Sequence, residues 1–80
     1  MLKPSDIKVG MRLYVSVSSL EITTNVMAVY NQHGQDVVLL DCGYPFPQNV
    51  CGMTYDSLCE TWTIYLNGAP MGEVNSLRVI

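Results

Sequence analysis

Three cysteines and one histidine are the side chains of this sequence with the clearest capacity for chemistry. Cys42, Cys51 and Cys59 follow a C-x8-C-x7-C spacing, whereas structural zinc sites usually contain at least one closely spaced C-x2-C pair. His33 stands beside Gly34 in a stretch typical of a turn, where a histidine is usually solvated. We therefore expect no metal site and no cofactor, and a redox or metal role for the cysteines is the weakest hypothesis.

The sequence also lacks the residue patterns of common catalytic sites. A nucleophilic cysteine needs a histidine that is itself oriented by an Asn or Asp. Neither G-x-S-x-G, nor H-E-x-x-H, nor a phosphate-binding loop occurs. Asp36 and Asp41 lie on one predicted strand at an odd spacing, so they point to opposite faces and do not form a carboxylate pair. We expect a protein that is not an enzyme.

The cysteines and the start of the chain bear on where the protein works. No apolar run approaches the roughly 20 residues needed to span a membrane, and residues 1–6 lack the apolar core of a secretion signal. An odd number of cysteines then favours reduced thiols and a cytoplasmic location. Cys42 and Cys59 lie in apolar patterns and are expected to be buried, whereas Cys51 is expected to be reachable in a loop.

Charge is sparse and unevenly placed. Charged residues make up 14% of the chain and the formal net charge is −3. No lysine or arginine lies between Leu13 and Leu77, while six acidic residues do. Direct binding to nucleic acid is not expected, because it needs basic side chains to neutralise phosphates. Two interpretations stay open: an acidic face that attracts a protein with a basic surface, and acidic residues that only maintain solubility.

Residue alternation predicts the strands that position these side chains. Apolar and polar residues alternate in Arg12–Ser18, which is the period of a half-buried strand. Ile22–Tyr30 is rich in β-branched residues, and Gln35–Cys42 carries four consecutive apolar residues, so we expect both faces of the latter strand to be covered. Asn31–Gly34 is typical of the turn of a hairpin between these two strands.

The second half of the chain predicts a loop, a short helix and two more strands. Gly43–Gly52 contains two prolines and is expected to be an extended loop. Trp62–Leu66 is strand-like, Asn67-Gly68 favours a type I′ hairpin, and Val74–Ile80 is expected to be a final edge strand. Between the Gly43–Gly52 loop and the strand at Trp62 we expect a short helix capped by Thr54, with Asp56 in its first turn. Its apolar stripe at i, i+3, i+4 and i+7 would consist of Tyr55, Leu58, Cys59 and Trp62.

These elements predict a mainly β, single domain over residues 1–80, with residues 1–6 as an N-terminal arm. Five short strands leave exposed edges unless the sheet curls into a small barrel. The order of elements, with Val9-Gly10-Met11-Arg12 leading into the first strand, resembles the SH3-like small barrels. The resemblance implies a five-stranded barrel with one short helix. In those barrels the helical turn lies just before the last strand, whereas here a strand pair follows it, so the strand order stays open.

Aromatic residues in the proline-containing loop are the candidate contact residues. Tyr44 and Phe46 are flanked by Pro45 and Pro47, which restrict the loop. Aromatic side chains make good interface anchors because they lose little entropy on binding. The alternative, that Phe46 plugs one end of a barrel and Tyr44 covers its rim, has equal weight. For partner binding we select Tyr44, Phe46, Asp41 and Asp56.

The leading hypothesis for function is a non-enzymatic protein-binding module. Compact, acidic, single-domain chains of this kind resemble the small proteins carried by phages and other mobile elements. That resemblance implies an inhibitor of a host protein such as a restriction or CRISPR defence component. The alternative is a structural or assembly subunit that forms a homo-oligomer when its last strand, Val74–Ile80, pairs with another copy.

Overall fold

The computed structural model describes the backbone of residues 1–42 and 49–80 and the side chains of residues 1–41 and 51–80. A 3-10 helix at Pro4–Asp6 precedes seven strands within these residues. The strands are β1 (Arg12–Val17), β2 (Leu20–Gln32), β3 (Gln35–Cys42), β4 (Asn49–Asp56), β5 (Thr61–Leu66), β6 (Ala69–Glu73) and β7 (Ser76–Val79). They form one curled sheet in the order β6-β5-β4-β3-β2-β1-β7, and every neighbouring pair is antiparallel.

The first three strands confirm the predicted alternation and hairpin. In β1, Leu13, Val15 and Val17 are buried while the residues between them are partly exposed. Strand β3 has the predicted bounds, and β2 is longer than predicted at both ends. The turn is therefore shorter than predicted and consists of His33 and Gly34, whose φ angles are 54° and 83°. Two positive φ angles are the requirement of a type I′ turn.

The predicted helix after Thr54 is wrong, and so is the last part of the predicted loop. Residues 49–56 form β4, and β5 begins at Thr61 after a four-residue turn. In a strand the spacing from Tyr55 to Trp62 no longer defines a stripe; these two residues face each other across β4 and β5, with ring centroids 4.9 Å apart. Leu58, which was expected on the apolar stripe, is 94% exposed at the turn. Residues 43–48 of the predicted loop lie outside the described residues.

The chain ends in two strands where one was predicted. Asn67 and Gly68 form the predicted turn, with φ angles of 53° and 81°. Strand β6 follows it and was missed because it contains Pro70, which cannot donate to a sheet ladder. Since β6 lies at the edge of the sheet, a proline is tolerated there. Strand β7 lies at the opposite end of the sheet order, as the edge-strand prediction requires.

Two residues link the two ends of the sheet order. Val74 donates its N–H to the carbonyl of Trp62 on β5, and Asn75 donates its N–H to the carbonyl of Ser16 on β1, at 2.8 and 2.7 Å. The chain thus passes from one end of the sheet to the other within Val74–Asn75, which is possible only because the sheet curls. The fold is mainly β, as predicted, but the described residues form seven strands in place of five. The SH3-like assignment stays a prediction.

The concave side of the curled sheet holds the core. Trp62, Leu13, Met53 and Ile64 are its largest fully buried side chains from the strands. Ile7 is 2% exposed and belongs to this cluster, and Leu2 packs against it. The Trp62 indole N–H donates to the carbonyl of Leu2 at 2.8 Å. The predicted N-terminal arm therefore contacts the core directly.

Candidate functional site

The convex face of strands β2–β5 carries an apolar groove. Side chains alternate between the two faces of a strand, so the residues next to the buried Val38 and Met53 point outwards. Leu39, Gly52 and Tyr65 lie side by side on β3, β4 and β5 in this outward row. We call this depression of about 360 Å³ the outer groove; its outward lining includes Tyr30, Val37, Leu39, Gly52, Thr54 and Tyr65.

Gly52 leaves a notch in the floor of the outer groove. Its φ angle is not in the left-handed region, so the backbone does not require glycine here. A Cβ built on Gly52 would lie 3.4 Å from the carbonyl oxygen of Val38, an ordinary van der Waals distance. The notch therefore exists because a side chain is missing, and a Cβ placed there makes only an ordinary contact with the backbone of β3.

Apolar side chains around the notch are open to solvent. Tyr30 is 44% exposed and Leu39 is 36% exposed. The prediction that both faces of β3 are covered is therefore wrong: Val38 and Leu40 are buried, and Leu39 is not. The sequence reasoning missed Tyr30, Leu39 and Tyr65 as site residues. The hairpin register could have revealed Leu39, because only alternate residues of an antiparallel strand reach one core.

The two predicted acidic contact residues lie on the outward face of β3 and β4, one beyond each end of the groove lining. Asp41 lies two residues beyond Leu39 on β3, and Asp56 lies four residues beyond Gly52 on β4. Asp41 is paired with Val50, so about six strand residues, or roughly 20 Å, separate the two positions. Both side chains are exposed. The structure therefore does not bring these carboxylates together but places them on either side of the apolar groove.

Asp56 is held by the backbone of the turn that follows β4. Asp56 accepts hydrogen bonds from the backbone N–H groups of Leu58 and Cys59, at 2.9 and 3.3 Å, within the turn. The charge of Asp56, and less so that of Glu73, raises the pKa of the Cys59 thiol. The carboxylate expected to cap a helix thus caps a turn instead. Tyr44 and Phe46, the other two predicted contact residues, lie outside the described residues.

A second, polar depression of about 330 Å³ lies over β1 and β2 and reaches Asp41 on β3. Tyr14 donates its hydroxyl proton to Glu21 Oε1 at 2.7 Å, and the Arg78 guanidinium lies 4.1 Å above its ring. The hydrogen bond to Glu21 is the main cause that raises the pKa of Tyr14. Arg12 donates to Asn25 Oδ1 at 3.3 Å. These groups largely satisfy one another, so this depression is a weaker candidate than the outer groove.

The cysteine predictions are wrong where the structure tests them. Cys51 lies on the inward face of β4, is 1% exposed and is disulfide-bonded, so it is neither reachable nor reduced. Cys59 is an exposed free thiol and not a buried small hydrophobe. The Cys42 side chain lies outside the described part. Among the described residues, no group of three or more His, Cys, Asp and Glu side chains is arranged to hold a metal ion.

No protein-family model, curated protein sequence or solved structure matches the chain significantly. Within the described residues no helix is both long and apolar enough to cross a membrane. The outer groove and the charges at its ends therefore carry the functional argument.

Proposed function

We propose that this chain is a non-enzymatic protein-binding module and that a partner protein docks on the outer groove. The observation that carries the proposal is the exposed apolar lining around the Gly52 notch, with Tyr30 and Leu39 open to solvent. Contiguous exposed apolar surface on a small soluble domain is typical of an interaction site. Tyrosines at its rim supply rigid contact area at a low entropic cost.

The charge distribution favours a partner with a basic surface. All four basic residues of the chain, Lys3, Lys8, Arg12 and Arg78, lie outside β2–β6. Asp41 and Asp56 lie beyond the two ends of the groove lining, and β2–β5 carry no lysine or arginine, so long-range attraction speeds encounter with a positively charged protein. The same distribution disfavours direct contact with nucleic acid phosphates. We propose neither a cofactor nor a metal for this site.

A matched pair of variants tests the proposal. Gly52→Val fills the notch, and Thr63→Val adds the same side chain on the outward face of β5, outside the groove lining. Each protein is immobilised and exposed to lysate, and the retained proteins are identified and then purified for a direct binding assay. We expect one identified partner to bind the wild type and Thr63→Val alike and to lose at least about 90% of its binding to Gly52→Val. A partner that binds Gly52→Val as tightly as the wild type contradicts the proposal.

The identity of the partner decides the narrower hypothesis. We propose that the bound protein is a host component blocked by this module, such as a restriction or CRISPR defence protein. The supporting features are the small acidic domain and its groove, which act by covering a partner's surface. Inhibition of the purified partner's activity by the wild type, and not by Gly52→Val, is the expected result. A bound partner whose activity is unchanged contradicts inhibition.

A second candidate function is an assembly subunit joined through β7. Ile80 donates its N–H to the carbonyl of Arg12, and hydrogen-bonded positions alternate in antiparallel pairs. The backbone groups of Leu77 and Val79 therefore point away from β1, and no described strand pairs with that side of β7. Such an edge can pair with the same edge of another copy.

Light scattering distinguishes this candidate from a monomeric module. The assembly hypothesis expects a multiple of 8.9 kDa for the wild type. It expects 8.9 kDa for Val79→Pro, which removes an outward N–H, and the wild-type mass for Val79→Ala, which keeps it. A wild-type protein that remains monomeric at high concentration contradicts this second candidate.

A further inference from the structure

We propose that the segment bound in the outer groove is an extended stretch of the partner with one aliphatic side chain between two basic residues. The expected spacing is basic-x-aliphatic-x-x-x-basic, read in either chain direction. This inference rests on the proposed function, and it adds the kind of sequence that the groove selects.

The groove runs along its strands. Tyr30 on β2 forms one wall and Tyr65 on β5 forms the other, while Leu39 and Gly52 on the two strands between them form the floor. Two strands lie between the walls, so β2 and β5 are three strand steps, or about 14 Å, apart. This width suits a single extended chain. An extended segment laid along β3 and β4 covers the floor from end to end.

The Gly52 notch fixes where the aliphatic side chain enters. It is the position in the outward row where a side chain is missing, between Leu39 and Tyr65. An aliphatic side chain placed there contacts apolar atoms on both sides. A polar side chain would lose its water there, while Leu39, the floor residue next to the notch, offers no hydrogen-bonding group. The site therefore favours a residue such as leucine, isoleucine or methionine.

The positions of the two carboxylates set the spacing of the basic residues. Leu39 lies opposite Gly52, and Asp41 is two residues further along β3, about 7 Å from the level of the notch. Asp56 is four residues from Gly52 in the other direction, about 13 Å away. The bound segment has nearly the same rise per residue as these strands. Its basic residues therefore lie two and four residues from the aliphatic one, and all three side chains point to the same face because both spacings are even.

Peptides of identical composition test this spacing. The matching probes are fluorescein-labelled Lys-Ala-Leu-Ala-Ala-Ala-Lys and its reverse, Lys-Ala-Ala-Ala-Leu-Ala-Lys, each flanked by glycine. The control is Lys-Ala-Ala-Leu-Ala-Ala-Lys, which has the same residues with spacings of three and three. Fluorescence anisotropy is measured at low and high salt. We expect at least one matching peptide to bind about 3- to 10-fold more tightly than the control, and the difference to shrink at high salt.

Variants of the protein test whether Asp41 and Asp56 contact the two basic residues of the peptide. Asp41→Asn and Asp56→Asn are each expected to weaken the matching peptide by about 2- to 5-fold, the range of an exposed ion pair. Asp36→Asn removes the same charge from β3 at a position that alternates to the other face, so it is expected to change binding by less than about 1.5-fold. Equal effects of all three variants would show a general charge attraction and overturn the proposed spacing.

The outcomes separate this inference from the proposed function. Capture of a partner that depends on Gly52, together with equal binding of matching and control peptides, overturns the spacing and leaves the protein-binding function in place. Peptide binding that Gly52→Val does not weaken places the contact outside the groove and contradicts both. Tight binding of the matching peptide that Gly52→Val abolishes supports both.

Discussion

Glycine-to-alanine substitutions at three positions provide a direct test of how the sheet closes. Gly72 lies on β6 with a φ angle of 135°, and a Cβ built there would lie 3.3 Å from Val17 Cγ1 on β1. Gly68 has a φ angle of 81° in a turn, with no atom within 4 Å of the built Cβ. Gly52 has neither a positive φ angle nor a close contact under 3.4 Å. The three positions thus separate backbone strain from steric contact.

The structure predicts a ranking of the three costs. Gly52→Ala is expected to be neutral or to stabilise by up to about 1 kcal/mol, because alanine loses less entropy than glycine in a strand. Gly68→Ala is expected to destabilise by about 1 kcal/mol through its left-handed backbone alone. Gly72→Ala has both backbone strain and a tight contact with a buried valine, each about 1–3 kcal/mol, so we expect about 2–6 kcal/mol in total.

Urea unfolding followed by the fluorescence of Trp62, the only tryptophan, measures these differences. Trp62 is 0% exposed, so its emission reports loss of the core. Repeating Gly72→Ala in a Val17→Ala background removes the contacting Cγ1, and its cost is expected to fall there by about 1 kcal/mol or more. If Gly72→Ala costs no more than Gly68→Ala, with no coupling to Val17, then β6 does not pass β1 as described and the closure of the sheet is wrong.

Three further predictions concern the turn and the core. Asp56→Asn is expected to lower the pKa of the Cys59 thiol, because Asp56 is the main cause that raises it. A lower pKa means that more of the thiol is ionised at pH 8, so Cys59 should react faster with iodoacetamide. An unchanged pH–rate profile would contradict this expectation. Trp62→Phe removes the hydrogen bond to the Leu2 carbonyl and part of a buried ring, and its expected cost of about 2 kcal/mol is measurable by thermal unfolding. Tyr55→Leu removes the ring that lies 4.9 Å from that of Trp62, with an expected cost of about 1 kcal/mol in the same assay, and no change would show that this ring contact contributes nothing.

The strands that carried a clear period of two were predictable from the sequence. Leu13, Val15 and Val17 alternate with polar neighbours, and β1 follows that pattern residue by residue. Asn67-Gly68 demands positive φ angles and occupies the expected turn. In each case the local residue pattern is compatible with only one backbone conformation. That is why these elements do not depend on knowledge of the rest of the chain.

The helix was wrongly predicted because two periodicities overlap in one stretch. Tyr55, Leu58 and Trp62 match a helical spacing, but Cys51 and Met53 continue an alternation that ends on Tyr55. The second pattern prevails because β3 and β5 flank β4 and satisfy its backbone groups. A helix of under three turns has no comparable stabilisation from its own hydrogen bonds. This choice depends on tertiary pairing and could not be read from the stretch alone.

The outer groove exists because β2 changes phase halfway along its length. Before Met27 the even-numbered residues of β2 point inwards, as the buried Ile22 and Val26 show. The register then shifts between Val26 and Ala28, and Met27 is the extra residue of a bulge. Beyond it the pairing sets Val29 beside the buried Val38 and Tyr30 beside Val37, so Tyr30 faces outwards and forms a wall of the groove.

Without the bulge the alternation would direct Tyr30 to the core and Val29 to the groove. The run Val26-Met27-Ala28-Val29 is apolar throughout, so no change of polarity marks the shift in the sequence. The one residue that redirects the strand is therefore also the reason that Tyr30 could not be identified from the sequence pattern as a wall of the groove, since its orientation depends on a pairing register and not on any motif.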